Sequence, residues 1–400
     1  MDRPPAAPAV TGRRARRRAA GPRTVEVDVL VVGAGHGGLT TAHHLERTGL
    51  VPVGQRGWEG ARGTFVVLDD NPRAGGSWQH RWRGLTLADA HDVGDLPGMP
   101  LSVAAATEPA ADAVPYYYAQ YEEAFGLNVQ RPVRVLRVER APDGERLLVT
   151  TRHVEHPEEV VVWAARGVVD ASGSTGKPFL PLWPGYRTFT GRQLHSRDVR
   201  SAQDLADGPV VVVGGGTAAV ETVLRASEVT STTWVTRRPP QWVEPGDDGT
   251  PDAEVLARVE ARIRAGLPPG SVVSVTGLPL TPRYRDGRER GVLRARPPFS
   301  RVVADGVEWD DPVPAATGWE DGPAHVAART IVWATGRRAR LDHLAPLGLR
   351  APGGGVALDG TSAVLDPRVQ LVSYRPGAWA VAPNRPGREA VKNLRRLLRW

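Results

Sequence analysis

The 400-residue chain contains no cysteine, and this absence excludes several kinds of chemistry at once. It excludes disulfide scaffolds, zinc–thiolate sites, iron–sulfur clusters and a catalytic thiol. No apolar run approaches the ~18 residues of a membrane span, so we expect none. Lysine is almost absent, because 49 of the 51 basic residues are arginine, which is typical of a high-GC bacterial source. Apolar residues make up 41% and charged residues 24%, so most of the chain should be globular.

The net charge of +7 and the pI near 10.2 could indicate a nucleic-acid or membrane partner. The positive charge lies at the two ends, however. Residues 1–23 hold seven arginines against Asp2, and residues 384–400 hold six basic residues against Glu389. The intervening chain, 24–383, therefore carries a net charge of −4. This distribution argues against a nucleic-acid partner for the globular part.

The basic segment 1–23 has no apolar periodicity, and we predict a disordered arginine-rich tail there. No apolar run follows its arginines, as a twin-arginine export signal would need, so we expect a cytoplasmic protein. Nucleic-acid binding by the tail is the alternative to a solvated extension. At the other end, Val391, Leu394, Leu397 and Leu398 form a helical stripe, which predicts a helix packed on the domain.

Two strand–helix–strand units stand out in the pattern. In the first, residues 25–32 and 64–69 read as buried strands around a helix over 36–48. In the second, residues 210–213 and 231–236 read as strands around a helix over 217–227. This alternation predicts an α/β fold with two Rossmann-like dinucleotide-binding domains. Residues 241–325 show little pattern apart from one helix near 253–265.

The first unit carries the loop Gly33-Ala34-Gly35-His36-Gly37-Gly38, which matches G-x-G-x-x-G between a strand and a helix. Gly33 permits the tight turn, Gly35 admits a pyrophosphate, and Gly38 lets the helix pack on the strand. The second strand ends in Asp69 and Asp70, whose carboxylates could accept hydrogen bonds from ribose hydroxyls. We favour Asp69, although an extra loop at 51–63 places it 31 residues after Gly38 rather than ~20.

The second unit carries Gly214-Gly215-Gly216-Thr217-Ala218-Ala219, which matches G-x-G-x-x-A. Its following strand ends in Arg237 and Arg238 instead of an acid. Arginine suits a 2′-phosphate and cannot accept from a 2′-hydroxyl, so we predict NADPH rather than NADH. A solvated arginine pair is the alternative interpretation. Two dinucleotide folds in one chain predict bound FAD at the first, NADPH at the second, and hydride transfer between them.

Further segments resemble the flavin-containing monooxygenases and their relatives, the bacterial class B flavoprotein monooxygenases. Gly75-Gly76-Ser77-Trp78 is similar to the GGxW segment of that family. Phe189, Gly191 and His195 match the fingerprint FxGxxxHxxx(W/Y), but Val199 replaces its final aromatic residue. Ala334-Thr335-Gly336 matches the ATG segment, and Ala171-Ser172-Gly173 is a variant of it. The resemblance runs from about Val25 to residue 395.

The resemblance implies an FAD-binding domain in two segments, 24–175 and 328–400, with an NAD(P)H-binding domain at 176–327 between them. It adds Gly76, Ser77, Trp78, Val133, Ser172 and Gly173 to the cofactor-binding residues. It implies a monooxygenase in which reduced FAD and dioxygen form a C4a-hydroperoxide that oxygenates a small organic substrate. No metal is part of this scheme, and the oligomeric state stays open, a homodimer being one option.

The family places an asparagine facing the flavin shortly after GGxW, and this chain has none there. Asp89 or His91 could take its place as a hydrogen-bond donor or acid–base group, or could be surface loop residues. His195 is the third candidate catalytic residue, although the resemblance implies a role in linking domain motion to nucleotide binding. An NAD(P)H-dependent flavin or quinone reductase and a degenerate nucleotide-binding protein stay as alternatives. A disulfide reductase is excluded because no redox cysteine exists.

Overall fold

A computed structural model describes residues 23–82, 84–87, 93–102, 105–244, 253–270, 273, 277–311, 318–374 and 383–400. Residues 1–22 of the predicted tail, and the candidates Asp89 and His91, lie outside the described residues, whereas Arg23 begins the first strand. Within these ranges no helix is long and apolar enough to cross a membrane.

The helices are α1 (His36–Arg47), α2 (Ala110–Ala124), α3 (Thr217–Ala226), α4 (Ala253–Arg264), α5 (Pro282–Glu289) and α6 (Arg385–Leu398). The strands are β1 (Arg23–Val32), β2 (Val51–Pro52), β3 (Thr64–Leu68), β4 (Val133–Arg140), β5 (Leu147–His153), β6 (Val160–Asp170), β7 (Arg192–His195), β8 (Val210–Val213), β9 (Thr232–Val235), β10 (Trp242–Val243), β11 (Leu278–Pro279), β12 (Ala295–Arg296), β13 (Arg301–Val303), β14 (Gly306–Glu308), β15 (His325–Ala327), β16 (Thr330–Trp333), β17 (Leu358–Asp359), β18 (Ser362–Ala363) and β19 (Asp366–Leu371).

The first unit forms a nine-stranded sheet in the order β17-β18-β19-β6-β1-β3-β2, with β4 and β5 continuing from β6. β1 lies at its centre, parallel to β3 and β6, and its side chains alternate between two cores. Leu30 and Val32 belong to one core, and Val29 and Val31 to the other. The second of these cores lies under α1 and α6, which confirms α/β layering.

The second unit forms a five-stranded parallel sheet in the order β12-β9-β8-β16-β7. β16 pairs with both β8 and β7. The predicted domain boundary before residue 328 is therefore wrong for this strand, which lies in the second sheet rather than the first. The pattern of a buried strand does not reveal which sheet it joins, because both sheets here are parallel and covered on two faces.

The chain passes between the two sheets twice, and the two crossings lie side by side. Phe179 N–H donates to the Gly336 carbonyl at 3.0 Å, and Arg338 N–H donates to the Lys177 carbonyl at 2.9 Å. Lys177 and Asp342 add an ion pair across the same ribbon.

The C-terminal helix packs as predicted on the first sheet. Ala390, Val391 and Leu394 of α6 are buried against it. Leu398 packs partly against this core, whereas Leu397, the remaining position of the predicted stripe, is 42% exposed.

Candidate dinucleotide-binding sites

The first glycine loop connects β1 to α1, as its sequence predicts. Gly33 has φ +94°, and a Cβ there would lie 2.7 Å from the Ala171 carbonyl oxygen. A Cβ on Gly38 would overlap the Gly33 carbonyl oxygen, so strand and helix approach as closely as the backbone permits. Gly35, the residue before α1, faces open space. The amino end of α1 is thus held by packed glycines and open in front, which is the shape an anionic pyrophosphate needs.

The GGxW segment lies against this loop. A Cβ on Gly76 would lie 2.8 Å from the Gly35 Cα, so the two backbones touch at this point. Gly76 and Ser77 begin a 3₁₀ helix over Gly76–His80, and Trp78 in that helix is buried. Trp78 packs in the same core as α1, with the Arg81 guanidinium 4.9 Å from the centre of its ring. The indole is thus a core residue as well as a neighbour of the loop.

Asp69 follows β3 directly and is 3% exposed. Its Oδ1 accepts from the Asn71 backbone N–H at 3.1 Å and from the Asn71 amide at 2.9 Å. Its Oδ2 is buried and accepts no hydrogen bond within the described chain, with Arg131 Nε 3.5 Å away. Burial raises the pKa of Asp69 in spite of the nearby Arg131 cation. A hydroxyl donor such as a ribose would satisfy this orphaned oxygen.

Asp70 is bound differently, because two arginines hold it. Arg340 Nη2 lies 2.7 Å and Arg134 Nε 3.2 Å from its Oδ2. Burial alone would raise its pKa, but the hydrogen bond and charge of Arg340, assisted by Arg134, lower the pKa of Asp70. Asp70 therefore joins β4 and the second interdomain crossing to the end of β3. Asp69, by contrast, has one oxygen, Oδ2, that can still accept a hydrogen bond from a ligand.

The other residues taken from the family resemblance surround the carboxyl ends of β3 and β6. Val133 N–H donates to the Asp69 carbonyl at 2.8 Å, which holds the start of β4 beside β3. Ser172 Oγ donates to Asp170 Oδ1 at 2.9 Å and lies 2.9 Å from the Arg340 carbonyl. The Gly173 carbonyl accepts from Arg340 N–H at 3.0 Å. Of these residues Ser172 lies directly against the first glycine loop, since a Cβ on Gly33 would lie 3.3 Å from the Ser172 Cα.

One contact at this loop has no local signal in the sequence. His36 Nε2 lies 2.8 Å from Asn384 Oδ1, and Thr40 Oγ1 donates to the same oxygen at 3.2 Å. Asn384 precedes α6 and thereby joins the amino ends of α1 and α6. Burial lowers the pKa of His36 from 6.5 to about 4, although the hydrogen bond to Asn384 opposes this. Residues 348 positions apart can be brought together only by the fold.

The second glycine loop repeats the first between β8 and α3. A Cβ on Gly214 would overlap the Ala334 carbonyl oxygen, whereas Gly216 and Gly215 face open space. Gly216 precedes α3, which begins at Thr217 and Ala218, and Ala219 is buried where the motif needs a small residue. Trp234 Nε1 donates to the Gly214 carbonyl at 2.7 Å and fixes the turn.

Arg237 and Arg238 follow β9 at the same edge of the sheet as this loop. Both side chains are exposed, and neither has an ion-pair or hydrogen-bond partner in the described part of the chain. Thr236, just before them, is buried and accepts from Trp319 Nε1 at 3.0 Å. The buried Thr236 therefore fixes the backbone just before the two arginines. Their positive charges have no partner among the described residues.

His195 ends β7, and both of its ring nitrogens contact backbone. Nε2 lies 2.9 Å from the Gly336 carbonyl, and Nδ1 accepts from Arg197 N–H at 3.1 Å. This pattern assigns the proton to Nε2. Burial lowers the pKa of His195, so the ring is neutral near pH 7. The residue therefore joins the fingerprint segment to the second crossing.

The space around the glycines suits the shape of a dinucleotide at both loops, and the described residues fit one at each. Side chains would overlap backbone at Gly33 and Gly38 in the first loop and at Gly214 in the second. Each loop also has one helix-preceding glycine, Gly35 or Gly216, with no atom of the described residues in front of it. Backbone N–H groups at a helix end with open space before them match the phosphates of a dinucleotide.

Comparison with known proteins agrees with this geometry. Residues 30–275 match the model of the family described as pyridine nucleotide-disulphide oxidoreductase. The flavin-containing monooxygenase of Stenotrophomonas maltophilia is 31% identical, with a TM-score of 0.72 over 93% of this chain and 99% of that chain.

Curated relatives match over shorter segments. An uncharacterized oxidoreductase, CzcO, of Bacillus velezensis is 26% identical over 50% of this chain and 52% of its own length. A Baeyer-Villiger monooxygenase of Streptomyces coelicolor is 28% identical over 60% of this chain and 43% of its own length. The chain spans about half the length of the curated relatives it matches. The chain belongs to the pyridine nucleotide-disulphide oxidoreductase family and, within it, to the flavin-containing monooxygenases and their oxidoreductase relatives.

Proposed function

We propose that this protein is an FAD-dependent, NADPH-using monooxygenase that oxygenates a small organic substrate. One observation carries the proposal: two glycine loops of dinucleotide-binding form lie in one chain whose parallel sheets are joined by paired crossings. A resident electron carrier at one loop and an exchangeable one at the other is the arrangement that hydride transfer requires. The absence of cysteine leaves dioxygen or a quinone-like compound, rather than a protein disulfide, as the acceptor.

FAD is assigned to the first loop. Gly35 and the amino end of α1 would receive the pyrophosphate, and Asp69 the ribose. Gly76 and Ser77 approach the loop from the side and would line the path of the flavin half. His36, bound to Asn384 and neutral near pH 7, adds no charge beside the phosphates.

NADPH is assigned to the second loop. Gly216, Thr217 and Ala218 would receive the pyrophosphate, and the uncompensated Arg237 and Arg238 the 2′-phosphate. Charge-assisted contacts of this kind discriminate strongly, because NADH would leave the two cations without a partner.

When bound and reduced, the flavin supplies oxygen activation at its C4a position. The chain's own residues hold the dinucleotides, exclude water and connect the two domains. His195 acts as a positioning residue, since both ring nitrogens are engaged by backbone. Asp89 and His91 stay candidates for an acid–base group near the flavin.

The reaction of the reduced protein with dioxygen tests the proposal. Flavin-loaded protein is reduced with NADPH without oxygen and mixed with oxygenated buffer in a stopped-flow spectrometer. We expect a long-lived species whose absorption spectrum differs from that of oxidised flavin. Its lifetime should shorten when substrate is present. Immediate return to oxidised flavin, together with rapid reduction of a quinone, would assign the protein to the reductases instead.

The cofactor assignment has its own test. Arg237→Gln should raise KM for NADPH at least tenfold and leave KM for NADH nearly unchanged, because only NADPH carries the 2′-phosphate. Arg187→Gln removes an exposed arginine elsewhere and serves as the control. An equal rise for both nucleotides would contradict the phosphate role.

A further inference from the structure

A basic surface cavity lies between the carboxyl-terminal end of α1 and one side of α6, which it follows from Arg388 in the first turn to Trp400 beyond the helix. Its lining contains no residue of either glycine loop. Its volume is about 460 Å³. Its lining includes five cations and one aromatic residue: Arg47, Arg388, Lys392, Arg395, Arg396 and Trp400. No acidic residue lines it. Neither dinucleotide site uses any of these side chains.

No aspartate or glutamate compensates the charges of this cavity. All five cationic side chains are exposed, none has an Asp or Glu partner in the described ranges, and only Arg395 contacts a main-chain oxygen, that of Trp400. Other arginines of the fold are commonly paired, as Arg131 is with Glu122 at 2.6 Å and Arg166 with Asp28 at 2.8 Å. Five like charges around one cavity repel each other, so a bound anion would relieve the repulsion.

The cavity also has an apolar, flat wall. Trp400 Nε1 donates to Thr48 Oγ1 at 3.2 Å, and Arg395 Nε donates to the Trp400 carbonyl at 3.4 Å. These two contacts hold the half-buried indole beside the buried Val391. A flat ring could stack on this indole while phosphates reach the surrounding cations.

The site is a shallow surface depression, largely open to solvent, and its volume is what suits a small ligand. A cavity of this size is in the range of about 300–1,000 Å³ that is usual for small-molecule sites. His44 at its rim has a pKa lowered to about 4, by burial first and then by His43, Arg388 and Arg47. It is therefore neutral near pH 7 and offers a hydrogen bond rather than further charge.

The cavity is joined to the first glycine loop through the same two helices. At their amino ends, Asn384 holds His36 and Thr40. Further along the pair, α1 contributes Arg47 from its last turn, and α6 contributes Lys392 and Arg396 to the cavity. A ligand in the cavity that contacts both α1 and α6 would therefore connect the two helices that support the first glycine loop.

We propose that this cavity binds a small organic polyphosphate, with two or more phosphates on Arg47, Arg388, Lys392 and Arg396 and a flat ring against Trp400. The inference rests on residues outside both dinucleotide sites. Whether this site binds a polyphosphate does not depend on the proposed monooxygenase activity.

Calorimetric titration of the FAD-loaded protein with ATP, inorganic tripolyphosphate and adenosine tests this assignment. The double variant Lys392→Gln/Arg396→Gln should weaken ATP binding at the cavity at least tenfold. Binding of ATP at the glycine loops is common to the wild type and the variant, so their difference isolates the cavity. Tripolyphosphate should bind the wild type more weakly than ATP, and adenosine should not bind the cavity.

The matched control is Arg187→Gln/Arg264→Gln, which removes two exposed charges elsewhere. It should leave ATP binding unchanged, and both double variants should melt at the wild-type temperature because all four side chains are exposed. Unchanged ATP affinity in the cavity variant, or an equal loss in the control, would overturn the site. Equal affinity for tripolyphosphate and ATP would refute the ring contact. A nucleic-acid oligomer that binds more tightly than ATP, and loses that binding in the cavity variant, would reassign the surface to nucleic acid.

Discussion

At the scale of single residues, the two kinds of glycine in each loop have different tasks. Gly33, Gly38 and Gly214 are enclosed by backbone, whereas Gly35 and Gly216 face open space. Replacing an enclosed glycine damages the fold itself. Replacing an open one leaves the fold intact and fills the place of the ligand, which makes the open glycines the informative positions.

Gly35→Ala should therefore fold normally and retain little flavin. Its methyl group meets no atom of the described residues, but it occupies the space that the pyrophosphate needs. We expect loss of most of the bound flavin absorbance after gel filtration, with the far-ultraviolet circular dichroism of the wild type. Gly216→Ala is the matched control, which should keep its flavin and raise KM for NADPH. Full flavin retention by Gly35→Ala would contradict the assignment of this loop.

At the scale of elements, α1 couples stability to pH. Burial lowers the pKa of His36 and of His44 from 6.5 to about 4 each, and it also lowers that of His43. Between pH 6.5 and 4 the unfolded chain therefore binds more protons than the folded one. The free energy of unfolding must fall as the pH drops through this window, by up to about 3 kcal/mol for His36 alone.

His36→Gln should reduce this acid sensitivity. Urea unfolding of the FAD-saturated protein at pH 7.5 and pH 5 measures it, and the variant should lose about 2 kcal/mol less than the wild type between the two values. His156→Gln, which changes an exposed histidine, should behave as the wild type. Parallel losses in all three proteins would show that His36 does not carry the effect.

At the scale of the whole molecule, Trp82 connects the two domains. It follows the GGxW helix of the first domain but packs against the core of the second. The Arg225 guanidinium of α3 lies 4.2 Å from the centre of its ring. This contact fixes one loop of the first domain to the helix that begins at the second glycine loop.

Trp82→Leu should therefore slow flavin reduction by NADPH several-fold, because the two loops would lose a fixed relation, and leave flavin content unchanged. Stopped-flow reduction by NADPH, compared with reduction by dithionite, measures the difference. Trp58→Leu is the matched control, since Trp58 packs beside the core of the first sheet. A wild-type reduction rate in Trp82→Leu would remove this residue from the coupling.

Both dinucleotide folds could be predicted because their signals are local. Alternating apolar residues, spaced glycines and the residues at strand ends all lie within about forty positions of each other. The pairings of Asn384 with His36, of Arg340 with Asp70 and of Trp82 with Arg225 could not be predicted. Each joins residues that are distant in sequence through side chains with no periodic pattern. The boundary before residue 328 misplaces β16 for a different reason, because a buried strand does not reveal which of two parallel sheets it joins.

Because the two crossings lie side by side, the whole second sheet belongs to a segment whose two ends meet at one place. Its point of entry, near Lys177, and its point of exit, near Arg338, are hydrogen-bonded neighbours. A short turn could therefore replace everything between them without stretching the host sheet. Changes between these two points could therefore accumulate without disturbing the strand pairing of the first sheet.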